Sequence, residues 1–204
     1  MLRNFFFENK IECGVDEAGR GCLAGPVVAA AVILPKNFKH KLLNDSKQVK
    51  ETDREILRKE ILEKSVAWAV AFSNEKTIDK LNILNATFSA MNDAVSQLKK
   101  IPEHILVDGN RFKNKTSIQH TCIIKGDATY KSIAAASILA KTFRDDYMKK
   151  IDAEFPHYNW KQNKGYGTKF HREMIRVHGA CIYHRQSFDL LGSRQMELFG
   201  NINR

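Results

Sequence analysis

Four carboxylates in this sequence follow short apolar runs, where an α/β protein presents residues to a ligand. The runs cover residues 11–15, 105–107 and 122–124, and the carboxylates after them are Asp16, Glu17, Asp108 and Asp127. Because converging carboxylates repel one another and raise one another's pKa, a group of four needs a cation among them. Divalent cations with oxygen ligands meet that need, and two of them about 3.5–4 Å apart support phosphodiester cleavage. The pattern favours a metal-dependent phosphoryl-transfer enzyme over a plain binding module.

A turn is the alternative explanation for each acidic residue taken alone. Asp-Gly pairs such as Asp108-Gly109 are frequent in turns. A turn does not explain why all four carboxylates follow apolar runs in a basic protein. The metal site therefore remains the better interpretation of the set.

The charge of the chain permits a nucleic-acid partner. The chain has 204 residues, 33 Lys and Arg against 23 Asp and Glu, and a formal net charge of +10. That length predicts one domain over 1–204, and 43% hydrophobic with 27% charged residues excludes wholesale disorder. Segment 161–185 holds six basic residues against one acidic residue, with aromatic residues in and beside it. Such a segment suits a phosphate backbone, and a solvated surface explains the charge equally well.

Membrane and secreted classes do not fit the sequence. The apolar stretch 23–35 is interrupted by Gly25 and Pro26 and is too short to cross a bilayer, and residues 1–10 lack the features of a signal peptide. The cysteines form no C-x-x-C pair, so we expect free thiols in a reducing cytoplasm. They are Cys13, Cys22, Cys122 and Cys181.

The elements that must position the carboxylates alternate between strands and helices. Hydrophobic periodicity predicts strands over 11–15, 27–34, 66–72, 105–107 and 122–124. It predicts helices over 52–64, 84–98, 129–155 and 168–178. This order, with an early hairpin-like strand pair, predicts an α/β domain with a mixed sheet.

A glycine-rich tripeptide follows the first acidic pair. Gly19-Arg20-Gly21 is neither a dinucleotide-binding fingerprint nor a Walker A loop, since the required spacings are absent. Glycines beside a metal site let backbone amides approach a sugar or phosphate, and Arg20 adds charge. As a bare tripeptide it is more often a turn.

Residues 14–31, GVDEAGRGCLAGPVVAAA, resemble the opening motif of the type 2 ribonucleases H, specifically bacterial ribonuclease HII. Further blocks of that family follow in order: LNDSK at 43–47, VDG at 107–109, KGD at 125–127, SIAAASILAKTFRD at 132–145, KGYGT at 164–168 and HRQSF at 184–188. The resemblance covers about residues 11–190. Cys22 stands where many relatives have proline, which puts the rigidity of that loop in doubt, and Cys181 lies near another such position.

The resemblance implies a fold and an activity. The fold is a ribonuclease H-like mixed five-stranded sheet flanked by helices, with a small helical C-terminal region and substrate-binding tail over about 156–204. The activity is cleavage of the RNA strand of RNA–DNA hybrids, and at single ribonucleotides in duplex DNA, leaving 3′-hydroxyl and 5′-phosphate ends. The cofactor is a divalent metal, Mg²⁺ or Mn²⁺. Since no long extension precedes the first motif, ribonuclease HII fits better than its sister type HIII.

The family's functional residues map onto positions of this chain. The acidic active-site residues and metal ligands are Asp16, Glu17, Asp108 and Asp127. The substrate-binding residues are Gly19, Arg20, Gly21, Tyr166, Lys47 and Lys141. Loop 19–21 matches the loop that reads the ribose 2′-hydroxyl, and Tyr166 matches the tyrosine that packs on the following deoxyribose. Four basic residues of the motif blocks could hold phosphates or orient carboxylates, and surface charge or a salt bridge is the alternative for each. They are Lys47, Lys125, Lys141 and Arg144.

Segment 195–199, QMELF, resembles the Gln-x-x-Leu-Phe peptide that docks on the bacterial sliding clamp. Gln195, Leu198 and Phe199 would supply the polar anchor and the two apolar side chains. The alternative is a C-terminal turn that packs on its own domain.

Apart from this clamp contact, we expect a monomer that binds RNA–DNA hybrid and ribonucleotide-containing DNA and no membrane. A non-catalytic hybrid-binding module and a DNA-cutting nuclease of the same fold are the competing functions.

Overall fold

Five strands form one mixed sheet in the computed structural model, which describes residues 2–44, 46 and 49–192. They are β1 (Glu12–Ala18), β2 (Val27–Ile33), β3 (Ala67–Ser73), β4 (His104–Asp108) and β5 (His120–Ile123). The order across the sheet is β3-β2-β1-β4-β5. β1 pairs antiparallel with β2 and parallel with β4, while β2–β3 is antiparallel and β4–β5 parallel. The predicted mixed five-stranded sheet is confirmed.

Helices cover both faces of this sheet. They are α1 (Glu51–Lys64), α2 (Glu75–Leu81), α3 (Ile83–Ser96), α4 (Lys131–Asp152), α5 (Trp160–Asn163) and α6 (Lys169–His178). All seven residues of β2 are buried, so its small and β-branched side chains pack on both faces. Ala29 and Ala31 face α3, whereas Ala30 and Val32 face α1 and α4. Among the described residues, no helix is long and apolar enough to cross a membrane.

One predicted strand is longer in the structure, and two short helices, α2 and α5, are not predicted from the sequence. The strand predicted over 11–15 continues to Ala18, so Asp16 and Glu17 lie within β1 and not after it, because these residues still pair with β2. The short helix α2 is absent from the sequence-based prediction. It begins where the Asn74 side chain accepts a hydrogen bond from the Thr77 amide at 2.9 Å, which satisfies a free N–H of the first turn.

A glycine brings α4 close to the central strand. A Cβ atom at Gly14 in β1 would lie 2.1 Å from the Ser132 carbonyl carbon and 2.2 Å from the Ile133 nitrogen of α4. No side chain fits in that space, so the helix backbone rests directly on the strand. The same approach places Ser137, further along α4, within hydrogen-bonding reach of Asp16.

The C-terminal helices enclose a smaller core of their own. Tyr158 and Trp160 stack with ring centroids 4.9 Å apart and pack with Met148 near the end of α4 and Ile175 of α6. Leu23 belongs to the same cluster. The segment after the glycine-rich tripeptide is therefore held against the C-terminal helices.

Candidate active site

Three of the four predicted carboxylates meet at one edge of the sheet. Asp16 lies on β1, Asp108 ends β4, and Asp127 lies in the 3₁₀ turn Gly126–Ala128. Each offers an oxygen within 4.8 Å of the others. They converge because β1 and β4 are parallel neighbours and the turn follows β5, the next strand. Three carboxylates at this spacing form a donor set that suits a hard divalent cation.

Backbone amides hold the three carboxylates in place. The amide of Gly126 donates to Asp108 Oδ1 at 2.7 Å, and that of Ala128 donates to Asp127 Oδ1 at 2.9 Å. Asp16 Oδ1 accepts from the Glu17 amide at 2.7 Å. Each carboxylate keeps further lone pairs for a ligand, because an ionised carboxylate has about four acceptor sites.

Burial and like charges raise the pKa of Asp16. Its side chain is 5% exposed, and burial is the largest cause, followed by the negative charges of Glu17 and Asp108. Hydrogen bonds from Ser137 and the Glu17 amide oppose this rise without cancelling it. A cation at the three carboxylates would remove the repulsion, so the electrostatics agree with the donor set.

This pKa predicts a metal-dependent change of stability with pH. Because Asp16 holds its proton more tightly when folded, the metal-free folded state binds more protons than the unfolded chain above the ordinary pKa of 3.8. The free energy of unfolding therefore falls as pH rises through that window. A divalent cation binds the ionised form, so Mg²⁺ should stabilise the protein more at mildly alkaline than at mildly acidic pH. Thermal unfolding with Mg²⁺ or EDTA measures this.

The control is Asp16→Asn, which cannot titrate. In this variant the difference between the two pH values should shrink strongly. Equal Mg²⁺ stabilisation of the wild type at both pH values would contradict the prediction.

The fourth carboxylate, Glu17, lies next to this group and contacts a different partner. Its Oε1 accepts from Arg20 Nη1 at 3.2 Å. Arg20 is half exposed, with 50% of its side chain accessible. The pair connects the acidic centre to the glycine-rich tripeptide.

Two buried arginines hold the backbone around that tripeptide. Arg185 donates to the carbonyl oxygens of Gly19 at 2.7 Å, Arg20 at 2.8 Å and Gly25 at 2.8 Å. Burial lowers the pKa of Arg185 to about 10, so it is still charged at neutral pH. Since hydrogen bonds from a charged donor are stronger than those from a neutral one, Arg185 fixes the shape of the loop.

Arg144 of α4 holds the backbone of residues 24–26 and of Lys164 in the same way. It is 1% exposed and donates to the carbonyl oxygens of Pro26 at 3.0 Å, Ala24 at 3.1 Å and Lys164 at 2.8 Å. The sequence analysis names Arg144 as a residue that holds a phosphate or orients a carboxylate. Because its side chain is buried and donates to backbone carbonyls, it performs neither role. No spacing in the sequence identifies these long-range partners.

The two predicted sugar-reading elements are joined by their backbones. Tyr166 forms an antiparallel bridge with Cys22, and the Leu23 amide donates to the Gly165 carbonyl at 2.8 Å. Tyr166 is 45% exposed, whereas Cys22 is fully buried. The cysteine therefore occupies a paired, buried position, and the loop does not lack support there.

The basic segment 161–185 presents fewer free cations than its composition indicates. Arg185 is buried as described, Arg172 donates to two backbone carbonyls at 2.8 Å, and Arg176 pairs with Glu173 at 2.9 Å. Lys164 also donates to a backbone carbonyl, that of Lys161, at 2.7 Å. Four of the segment's six basic residues thus hold the protein's own atoms, and the other two, Lys161 and Lys169, are exposed lysines that a ligand can reach.

The remaining predicted residues are placed as follows. Lys141 donates to both carboxylate oxygens of Asp145, at 2.5 and 2.6 Å. This is the salt bridge that the sequence analysis gives as the alternative to a phosphate contact. Lys47 lies outside the described residues, and so do the three predicted tail residues. These are Gln195, Leu198 and Phe199.

Comparisons with known proteins show the family of the chain. The model of one family, described as Ribonuclease HII, matches residues 13–191. The chain is 60% identical to ribonuclease HII of Bacteroides fragilis over 199 residues, covering 98% of this chain and 99% of the relative. It is 56% identical to that of Bacteroides thetaiotaomicron, covering 97% and 99%.

Solved structures show the same fold at lower identity. Ribonuclease H2 from Pyrococcus horikoshii superposes with a TM-score of 0.75 at 23% identity, covering 93% of this chain and 99% of that one. The ribonuclease HII of a PCNA complex from Archaeoglobus fulgidus gives 0.73 at 24% identity, covering 87% and 95%. Bst-RNase HIII in complex with Mn²⁺ gives 0.64 at 20% identity, covering 95% and 70%.

Proposed function

Because the chain belongs to the ribonuclease HII family and is an endonuclease of the RNA strand in RNA–DNA hybrids, we propose that it also cleaves at single ribonucleotides in duplex DNA. The observation that carries this proposal is the group of three carboxylates beside loop 19–21. A metal-dependent hydrolytic centre next to an open glycine backbone suits a substrate that is recognised by its sugar.

We assign the carboxylates to one divalent-metal centre. Asp16, Asp108 and Asp127 would hold the cation, and Glu17, which accepts from Arg20, lies next to them and would complete the centre. A bound divalent cation supplies charge stabilisation for the reacting phosphate and acidity for the attacking water. Either Mg²⁺ or Mn²⁺ fits three oxygen ligands, and Bst-RNase HIII was solved with Mn²⁺.

Sugar recognition is assigned to loop 19–21 and Tyr166. The 2′-hydroxyl distinguishes ribose from deoxyribose, and backbone N–H and C=O groups can donate to it and accept from it. A Cβ atom at Gly21 would meet no atom of the described residues within 4 Å, so a sugar can reach this backbone. Tyr166 lies one strand bridge away, where an aromatic ring can pack on the next sugar. Lys47 and the exposed lysines Lys161 and Lys169 would contact phosphates, whereas Lys141 pairs with Asp145.

A cleavage assay on duplex DNA with one ribonucleotide tests the function. We expect a single cut beside the ribonucleotide with Mg²⁺ or Mn²⁺ and none with EDTA. Equal cutting of all-DNA duplex would identify a DNA-cutting nuclease instead. Binding of hybrid without any cutting in the presence of metal would identify a non-catalytic module.

Gly21→Ala is expected to separate recognition from folding. The added methyl group meets no atom of the described part of the chain, and the Gly21 φ angle lies outside the left-handed region, so stability should change by less than about 0.5 kcal/mol. The methyl group would occupy the space of the incoming sugar, and kcat/KM on the single-ribonucleotide duplex should fall about tenfold or more. Wild-type kcat/KM would contradict the role of this loop.

We also propose that the tail binds a sliding clamp. The ribonuclease HII of Archaeoglobus fulgidus was solved as a complex with PCNA, which supports a clamp partner for the family. Retention on immobilised bacterial clamp should be lost in the double variant Leu198→Ala, Phe199→Ala, while cleavage is unchanged. Equal retention of wild type and variant would overturn the proposal.

The remaining proposals concern the state of the protein. We propose one catalytic domain over 1–204, acting as a monomer in the cytoplasm. The C-terminal cluster shares Leu23 and Met148 with the sheet domain, which supports a single unit. The four cysteines are free thiols, as a reducing compartment requires. Light scattering of the purified protein measures its mass in solution, and a dimer would contradict the monomer.

A further inference from the structure

Two buried histidines connect Tyr166 to the core of the C-terminal region. His171 of α6 is 0% exposed and His184 is 2% exposed. The His171 Nδ1 atom lies 2.9 Å from the Tyr166 carbonyl oxygen, and its Nε2 lies 3.2 Å from His184 Nε2. The Trp160 indole N–H donates to the same His171 Nε2 at 2.9 Å. This is an uninterrupted chain of contacts that ends on the backbone of the proposed sugar-reading tyrosine.

The donors fix which ring nitrogens carry protons. The Cys181 amide donates to His184 Nδ1 at 3.0 Å, so that nitrogen is an acceptor and the neutral ring carries its proton on Nε2. That proton points to His171 Nε2, which also accepts from Trp160. With two donors aimed at it, His171 Nε2 carries no proton, and the proton of the neutral ring is on Nδ1. His171 therefore donates to the Tyr166 carbonyl.

Charge on either ring would break this chain. A proton on His171 Nε2 would face two other N–H groups, and a proton on His184 Nδ1 would face an amide N–H. Burial, with His171 nearby, lowers the pKa of His184 to about 4, and burial also lowers the pKa of His171. Both rings are neutral at physiological pH, so the direction of donation toward Tyr166 is stable.

The turn that carries Tyr166 is also tied to the start of α6. The Tyr166 carbonyl accepts from the Thr168 amide at 2.8 Å, and the Thr168 hydroxyl accepts from the His171 amide at 3.2 Å. These bonds and the imidazole contact join the helix to the tyrosine turn. Of these ties, the imidazole contact is the one that reaches into the buried core.

We propose that His171 is a positioning residue for Tyr166, and that its Nδ1–H sets where the tyrosine ring meets the substrate sugar. His184 and Trp160 hold the His171 ring in the tautomer that this task needs. The proposal rests on the proposed function, in which Tyr166 packs on the sugar that follows the ribonucleotide. His171 itself touches neither substrate nor metal ligands.

The test compares two substrates that differ in that one sugar. One duplex has a single ribonucleotide followed by a deoxyribonucleotide, and the other has a ribonucleotide at both positions. The ratio of kcat/KM on the two measures how Tyr166 reads the sugar. Tyr166→Ala should change this ratio, and His171→Leu should change it in the same direction by about fivefold. The double variant should show no further change, because both act through one contact.

A conservative variant and a matched control separate the positioning of Tyr166 from the stability of the fold. In His171→Asn the amide nitrogen takes the place of Nδ1 and can still donate to Tyr166, while the contacts with Trp160 and His184 are lost. It should lose stability and keep the wild-type ratio within about twofold. His178→Leu makes the same change at an exposed position of α6 and should leave the ratio unchanged. Equal ratios for wild type and both His171 variants would overturn the proposal.

A measurement on the wild-type protein covers the case in which His171→Leu does not fold. Long-range ¹H–¹⁵N NMR of histidine side chains should show His171 protonated on Nδ1 and His184 on Nε2, assigned with His171→Asn. A proton on His171 Nε2 would overturn the proposal. If instead Tyr166→Ala leaves the ratio unchanged, the proposed sugar contact of Tyr166 is wrong, and the inference falls with it.

Discussion

Replacing Asp108 with asparagine is expected to abolish cleavage while the protein still folds and binds RNA–DNA hybrid. The new amide side chain would keep the oxygen that accepts from the Gly126 amide at 2.7 Å, so the turn that carries Asp127 is retained. It would lose the negative charge and aim an N–H₂ group at the cation. Since a divalent cation contributes several kcal/mol to the transition state, kcat should fall at least about 1000-fold.

The measurement is single-turnover cleavage of a duplex with one ribonucleotide, together with the affinity for uncleaved hybrid in EDTA. Asp93→Asn, an exposed change of the same kind on α3, is the matched control and should cleave at the wild-type rate. An Asp108→Asn rate within about tenfold of wild type would refute the role of Asp108 in the metal centre.

Replacing Gly14 with alanine is expected to give a large loss of stability for a single added methyl group. The new Cβ would lie 2.1 Å and 2.2 Å from two backbone atoms of α4, and neither the strand nor the helix can move aside alone. We expect a loss of about 3 kcal/mol or more in the free energy of unfolding. For a chain of this size the melting temperature should fall by roughly 6–12 °C.

Gly21→Ala is the control for this experiment, because the same methyl group there meets no atom of the described residues within 4 Å. Chemical denaturation followed by circular dichroism measures both variants. Similar stabilities of Gly14→Ala and wild type would mean that α4 can lift away from β1 at little cost, contrary to the packing described.

The acidic centre could be predicted from the sequence because strand ends have a simple signature. Asp108 and Asp127 each follow an apolar run and stand beside glycine, and parallel neighbours in a sheet bring such positions together. Asp16 is identified for the same reason, although its strand is longer than predicted. The antiparallel partner β2 extends that strand, and cross-strand pairing is not visible in the periodicity of one segment.

The supports of the site could not be predicted in this way. Arg144 and Arg185 stand in motif blocks as ordinary basic residues, yet they donate to carbonyl oxygens more than 100 residues away along the chain. A backbone carbonyl has the same chemistry at every residue, so no residue type marks it as a partner. Gly14 is a similar case, since the close approach of α4 depends on tertiary packing and not on local propensity.

The bridge between Cys22 and Tyr166 bears on how strongly a substrate with a wrong sugar would be rejected. Loop 19–21 and Tyr166 are joined through this bridge, and buried arginines hold the carbonyl oxygens of Gly19 and of Lys164, two residues before Tyr166, so a shift of one element would be transmitted to the other. If these two elements read adjacent sugars as proposed, a substrate with one wrong sugar would strain both contacts at once. Discrimination would then be cooperative: two wrong sugars would cost less than twice the penalty of one, and a variant that relaxes one contact would also loosen its neighbour.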